Sequence, residues 1–177
     1  MGTEATIALD RSNPADDQPR RGSGGSANLT EFISFAIGDD QYGVDIMAVR
    51  EIKDWSNVTH LPRQPEYVRG VLNLRGIMVP IIDLRCRFGQ GATEATPMHV
   101  VIIVQIDDRQ VGLLADRVLD IVSFDPSQIQ PVPRIAQGSR TDFLSGLVTV
   151  ESAMIALINL PNLLSSSVGE AGTSPVS

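Results

Sequence analysis

The side chains able to do chemistry are few, and their spacing argues against catalysis. There are two histidines, His60 and His99, and one cysteine, Cys86, in 177 residues. Acid–base or nucleophilic chemistry needs a base within hydrogen-bond reach of the group it activates. His60 precedes Leu61-Pro62 and His99 opens an apolar run, so both read as surface or strand-end residues. Two histidines without a cysteine partner do not make a structural zinc set. Asp39-Asp40 and Asp107-Asp108 could suggest a carboxylate pair or a calcium loop. Each lies between two apolar runs, where Asp serves turn chemistry instead. The chain has no Gly-rich phosphate loop ending in Lys-Ser/Thr and no Gly-x-Ser-x-Gly elbow. Cys86, between Arg85 and Arg87, would gain thiolate character if exposed, but reads as a bystander thiol. The pattern is that of a binding module, with no catalytic residues, metal or cofactor.

Binding must then come from how the elements are arranged, and the sequence states that arrangement twice. Ile37 to Val44 returns as Ile106 to Leu113, with Gln41 and Gly43 matched by Gln110 and Gly112 as turn residues. His60-Leu-Pro-Arg63 returns as Pro131-Val-Pro-Arg134, Gly70-Val-Leu72 as Gly146-Leu-Val148, and Met78 to Leu84 as Met154 to Leu160. The order is kept and the spacing is roughly 70–76 residues, which predicts two similar units packed on each other. The seam between such units is a natural place for a partner.

Within each unit the elements are short. Phe32 to Ile37 and Val100 to Ile106 are rich in β-branched and aromatic residues and read as strands, each followed by a Gly/Asp turn and a return strand. Asp45 to Ile52 fits a short helix, with Asp45 as cap and Ile46, Val49 and Ile52 recurring every three residues. Asp116 to Ile121 parallels it. Trp55 to Leu61 reads as a short strand, ended by Pro62 and Pro65. Val68 to Leu74 and Ile77 to Leu84 flank an Arg75-Gly76 turn, and Pro80 places the second strand at an edge or a bulge. Phe143 to Val150 and Ala153 to Asn159 close the second unit, after a long polar segment from Ser123 to Arg140. Leu160 to Leu164 starts a final helix. The expected class is all-β, with about five short strands per unit closing into small barrels that leave no exposed edge.

Composition bounds the partners. Residues 1–28 and 165–177 are small, polar and turn-forming, and read as flexible tails. Between them, 29–164 is enough for one compact domain built of a first barrel at about 35–95 and a second at about 98–160, with strands open to exchange at the seam. A net charge of −7 without a basic stripe argues against nucleic acid. No run reaches the roughly 20 apolar residues of a membrane helix, and no signal-peptide pattern opens the chain. These features, with a lone cysteine, fit a cytosolic protein.

The block Val68 to Leu84, with its Asn73-Leu-Arg-Gly76 turn and the Val-Pro-Ile-Ile-Asp-Leu run that follows, is distinctive. With Phe35 to Ile46 and Val49-Arg-Glu-Ile52, it resembles the CheW family of bacterial chemotaxis coupling proteins, from about Phe32 to Leu164. The resemblance implies two five-stranded SH3-like barrels around a shared core and no catalytic activity. It implies two partners: the cytoplasmic tip of methyl-accepting chemoreceptors and the regulatory domain of a CheA-like histidine kinase. It implies a cytoplasmic location, with recruitment to membrane-associated receptor arrays.

Carried over by position, the receptor-binding residues are Val49, Glu51, Ile52, Arg75 and Val100. The receptor tip is a helical hairpin, so Val49, Ile52 and Val100 would offer its nonpolar face an apolar groove. Arg75 would pair with a carboxylate or carbonyls. Gly70, Asn73 and Gly76 would support the turn that carries it. The kinase-binding residues expected are Val58, Thr59 and Leu61. For Val49 and Ile52 the competing reading is core packing, and for Glu51 a plain surface charge. An adaptor of a different chemosensory pathway, such as pilus or surface motility, and an SH3-like peptide module outside chemotaxis remain open.

Overall fold

The computed structural model describes residues 28–133 and 141–168. The first unit gives β1 (Thr30–Ile37), β2 (Asp40–Asp45), β3 (Val49–Asp54), β4 (Val68–Leu74) and β5 (Ile77–Asp83), then a single turn, α1 (Leu84–Arg87). The second gives β6 (Val100–Ile106), β7 (Arg109–Ala115), β8 (Arg117–Phe124), β9 (Leu144–Val150) and β10 (Ala153–Ile158), then α2 (Leu160–Val168). The strand-dominated class expected from the sequence is the one observed.

The strands form two five-stranded sheets, ordered β8-β1-β2-β10-β9 and β3-β6-β7-β5-β4. Replacing each strand by its repeat counterpart turns one order into the other. Neither sheet is one half of the chain: each takes three strands from one unit and a hairpin, β1–β2 or β6–β7, from the other. The spans 35–95 and 98–160 therefore mark the repeat, while the sheets are assembled across it. Each sheet also curls shut. The chain leaving β3 pairs with β4 through Thr59 and Val71, and the chain leaving β8 pairs with β9 through Gln130 and Leu147. Closure of this kind removes the open edges of a five-stranded sheet.

The period-2 pleat explains the continuous apolar runs of β1 and β6. Ile33, Phe35 and Ile37 meet Ile102 and Val104 in a core shared by both sheets. The alternate residues Val101 and Ile103 join Val79, Ile81 and Leu114 in the second sheet's own core. Phe32 joins Phe124, Val148 and Leu157 in the first sheet's. Burying one such side chain contributes about 1.5–3 kcal/mol. These strands stabilise through both faces.

Several local expectations give way to this pairing. Asp45 does cap a helical turn, accepting the Met47 N–H at 2.9 Å, but the turn covers only Ile46–Ala48. Val49–Asp54 is strand β3, because β6 offers it a ladder from Val104 to Val100 and its β-branched residues suit a pleat. Residues 117–124 are likewise strand β8, not a helix. Trp55 to Leu61 forms only the bridge at Thr59. Gly43 and Gly112 are mid-strand, not turn residues. A Cβ on Gly112 would lie 2.4 Å from Ile81 Cδ1, and one on Gly43 3.1 Å from Leu157 Cδ2. They let neighbouring side chains cross the strand. The tail assigned from residue 165 does not start there, since α2 runs to Val168. The remaining tail positions lie outside the described residues.

Pro80 lies in an interior strand, with β4 on one side and β7 on the other, rather than at an edge. The parallel ladder of β5 with β7 runs from Ile81 to Asp83, whereas its counterpart of equal length, β10 with β2, runs from Ile155 to Leu157 and so includes Ala156, the repeat mate of Pro80. Proline has no N–H to donate, so the ladder starts beyond it.

Candidate functional site

The β4–β5 hairpin sets the charged part of the site. Arg75 and Gly76 have φ of +52° and +88°, the two-residue turn whose twist suits a hairpin. The Asn73 side-chain oxygen accepts the Gly76 N–H at 2.9 Å and fixes the turn. Leu74 is buried beneath it, and the Arg75 side chain stands 80% exposed. Arg75 Nη2 lies 3.1 Å from Glu51 Oε2 on β3, and Lys53 Nζ lies 3.5 Å from Glu51 Oε1. An exposed pair of this kind contributes little stability, about 0–1 kcal/mol. Its consequence is positional: the guanidinium is held beside β3 with donors to spare.

The apolar part lies on β3 and β6. Val49 pairs with Val104 and Glu51 with Ile103, so Arg50 is the extra residue of a bulge. Directly opposed residues share a face. Val49 and Ile52 therefore share the face of Val104 and Ile102, and Glu51 takes the other. Val100 is on the Ile102 face as well, opposite Asp54 at the end of the ladder. Val49 and Val100 are half-buried against the shared core, while Ile52 is exposed. The structure brings Glu51 to Arg75 and sets Val49, Ile52 and Val100 on one face, of which Ile52 is the most open.

Gly70 does not belong to the turn. It lies in β4, and a Cβ there would stand 2.3 Å from the Thr59 carbonyl oxygen. It is the close approach that lets the chain after β3 seal the sheet. Val58 and Leu61, on either side of that seal, are half-buried, and Thr59 is exposed. Beside them Trp55, Val58, His60, Glu66 and Arg69 line a shallow cavity of about 320 Å³.

Residues 31–168 match the CheW-like domain. The chain belongs to the CheW-like domain family. It is 44% identical over 141 residues to the chemotaxis protein CheW of Rhizobium meliloti, covering 80% of this chain and 91% of that one. It is 40% identical over 136 residues to the CheW of Klebsiella aerogenes, covering 77% and 82%. The crystal structure of the scaffolding protein TtCheW from Thermoanaerobacter tengcongensis superposes with a TM-score of 0.68 at 33% identity, over 74% of this chain and 84% of that one. The structural match agrees with the strand-dominated, two-sheet fold.

Two structural devices of this CheW-like chain went unread in the sequence. Asp83 is fully buried, caps α1 through the Cys86 N–H at 3.3 Å, and accepts the Thr93 hydroxyl and N–H at 2.6 and 2.7 Å. Its repeat mate Asn159 caps α2 through the Asn162 N–H at 3.1 Å. The repeated Asp-Leu and Asn-Leu pairs ahead of the helices were the available signal. Asp116 joins the units: it accepts the Gly38 N–H at 2.7 Å and Arg85 at 2.8 Å, and lies 3.5 Å from His99. Burial pushes its carboxyl upward. The hydrogen bonds from Gly38 and Arg85 and the nearby charges outweigh that and hold it below the usual range. No local sequence signal marks this cluster. Cys86 is half-buried, and burial, then Asp83 and Glu66, push its thiol up against the opposing pull of Arg69, which disfavours the thiolate.

Proposed function

We propose that this protein is the non-catalytic coupling adaptor of a chemotaxis system, joining the cytoplasmic tip of methyl-accepting chemoreceptors to the regulatory domain of a CheA-like histidine kinase. The observation that carries the reading is the Asn73–Gly76 turn, which presents an exposed Arg75 beside β3 in a chain of this family. Ile52, with the edges of Val49 and Val100, takes the nonpolar side of the receptor hairpin. Arg75 exchanges its contact with Glu51 for an acceptor on the receptor. The kinase meets the sealed end of the second sheet around Val58, Thr59 and Leu61. No helix among the described residues is long and apolar enough to cross a membrane. The adaptor works in the cytoplasm and reaches the membrane through its receptors.

The test is affinity capture from the host's lysate with wild type and Arg75→Glu in parallel, identifying retained proteins by mass. Chemoreceptors and a CheA-like kinase on wild type, with receptors alone lost on the variant, support the reading. Folded wild type that retains neither partner overturns it.

A further inference from the structure

The internal repeat builds two matching grooves, neither of them lined by a β3 residue. One, of about 430 Å³, is lined by β5 and β7 where they approach the start of their parallel ladder; the other, of about 380 Å³, is lined by the corresponding stretches of β10 and β2, which are already paired there. Many of their wall residues correspond by repeat position, among them Met78 and Met154, Pro80 and Ala156, Gln110 and Gln41. The larger groove is the one whose ladder starts beyond Pro80. Each has an exposed methionine at its lip, Met78 at 55% and Met154 at 62% exposure. A flexible thioether over an apolar wall adapts to varied apolar partners. Each rim also carries the turn acid that catalysis left unexplained, Asp39-Asp40 on one and Asp108 on the other. The chain's net charge of −7 adds to that field.

We infer that these grooves are a bivalent docking surface for an extended, basic–apolar segment of a partner polypeptide. Apolar side chains of the segment seat against the methionine and its neighbours, and a Lys or Arg meets the turn carboxylates. Because Arg109 lines the larger groove, that groove relies more on apolar contact and the smaller more on charge. Two equivalent grooves on two sheets let one adaptor hold two copies of the same segment, independently of the β3 face.

The experiment is methyl NMR of the full chain labelled at its methionine methyls. It is titrated with a capped hexapeptide of alternating leucine and arginine, and in parallel with the same peptide carrying glutamate for arginine. The expected result is saturable movement of the Met78 and Met154 signals with the basic peptide, a larger loss of response at Met154 than at Met78 with the acidic one, and no movement of Met47 and Met98. The double variant Asp39→Asn, Asp40→Asn should weaken the Met154 response about two- to fivefold. Equal responses to both peptides overturn the charge complementarity. Movement at only one of the two methionines overturns bivalency, and movement at neither overturns the site. Shifts that follow protein concentration without peptide assign the grooves to a second copy of this chain instead.

Discussion

Replacing Gly70 by Ala should loosen the second sheet at its seal. The glycine has φ of +145°, and the added Cβ would sit 2.3 Å from the Thr59 oxygen and 2.9 Å from its carbonyl carbon. Both are backbone atoms, so no side chain can swing aside. The Thr59 N–H to Val71 bond at 2.9 Å and the Val71 N–H to Thr59 bond at 2.8 Å must stretch or break. Each contributes about 1 kcal/mol, and holding Ala in that backbone region costs about 1–3 kcal/mol. The sum, about 3–5 kcal/mol, is a large share of the roughly 5–15 kcal/mol that holds a domain folded. Gly76→Ala is the control. Its φ is +88° but nothing lies within 4 Å of the new Cβ, so it should cost only about 1–2 kcal/mol. Urea unfolding followed by Trp55 fluorescence reads both, since Trp55 packs on the same core. Gly70→Ala should lower the midpoint by more than about 1 M with the slope unchanged. Equal midpoints for the two variants would refute steric closure at Gly70.

Arg75→Glu places a like charge beside Glu51 on an exposed turn. It should leave the unfolding midpoint nearly unchanged while costing about 1.5–3 kcal/mol of receptor binding, measurable by titration with a receptor cytoplasmic fragment. Asp116 has a folded-state pKa below its unfolded value. The stability it contributes is present above about pH 4 and is lost as pH falls through the lower folded value. Asp116→Asn should therefore be less stable near neutrality and show a shallower acid limb when midpoints are plotted against pH. Asp83→Ala removes buried acceptors from Thr93 and the α1 cap, so it should cost about 3–5 kcal/mol, read as a lowered melting temperature. The fragment 28–168 should keep receptor and kinase affinity; a loss in either titration would give a terminal segment a role.

Patterns the whole fold needs were legible. The repeat, the turn acids and the alternating runs each have one physical solution at the level of class, and the two sheets follow from them. What the sequence hid was the competition between local and distant pairing. Ile46, Val49 and Ile52 recur at a helical spacing, yet the β6 edge captures Val49 and Ile52, and no local pattern could show that edge. Exchange at the seam was left open by the sequence; that the exchanged elements are β1–β2 and β6–β7 is hidden for the same reason. Gly70 looked like a turn glycine because it precedes the Arg75 turn; its close contact with Thr59 depends on closure. Within the site, Arg75 and Asn73 could be placed from the turn alone. The bulge at Arg50, which sets Val49 and Ile52 on one face, exists only in the ladder with β6.

The most direct measurement is kinase activity in reconstituted arrays. Receptor-containing membranes and the CheA-like kinase are mixed with and without this protein, and kinase autophosphorylation is followed. The coupling account predicts that activity rises and becomes attractant-sensitive only when the protein is present, and that Arg75→Glu abolishes this with the fold intact. Kinase activity and attractant response unchanged by wild-type protein would contradict it.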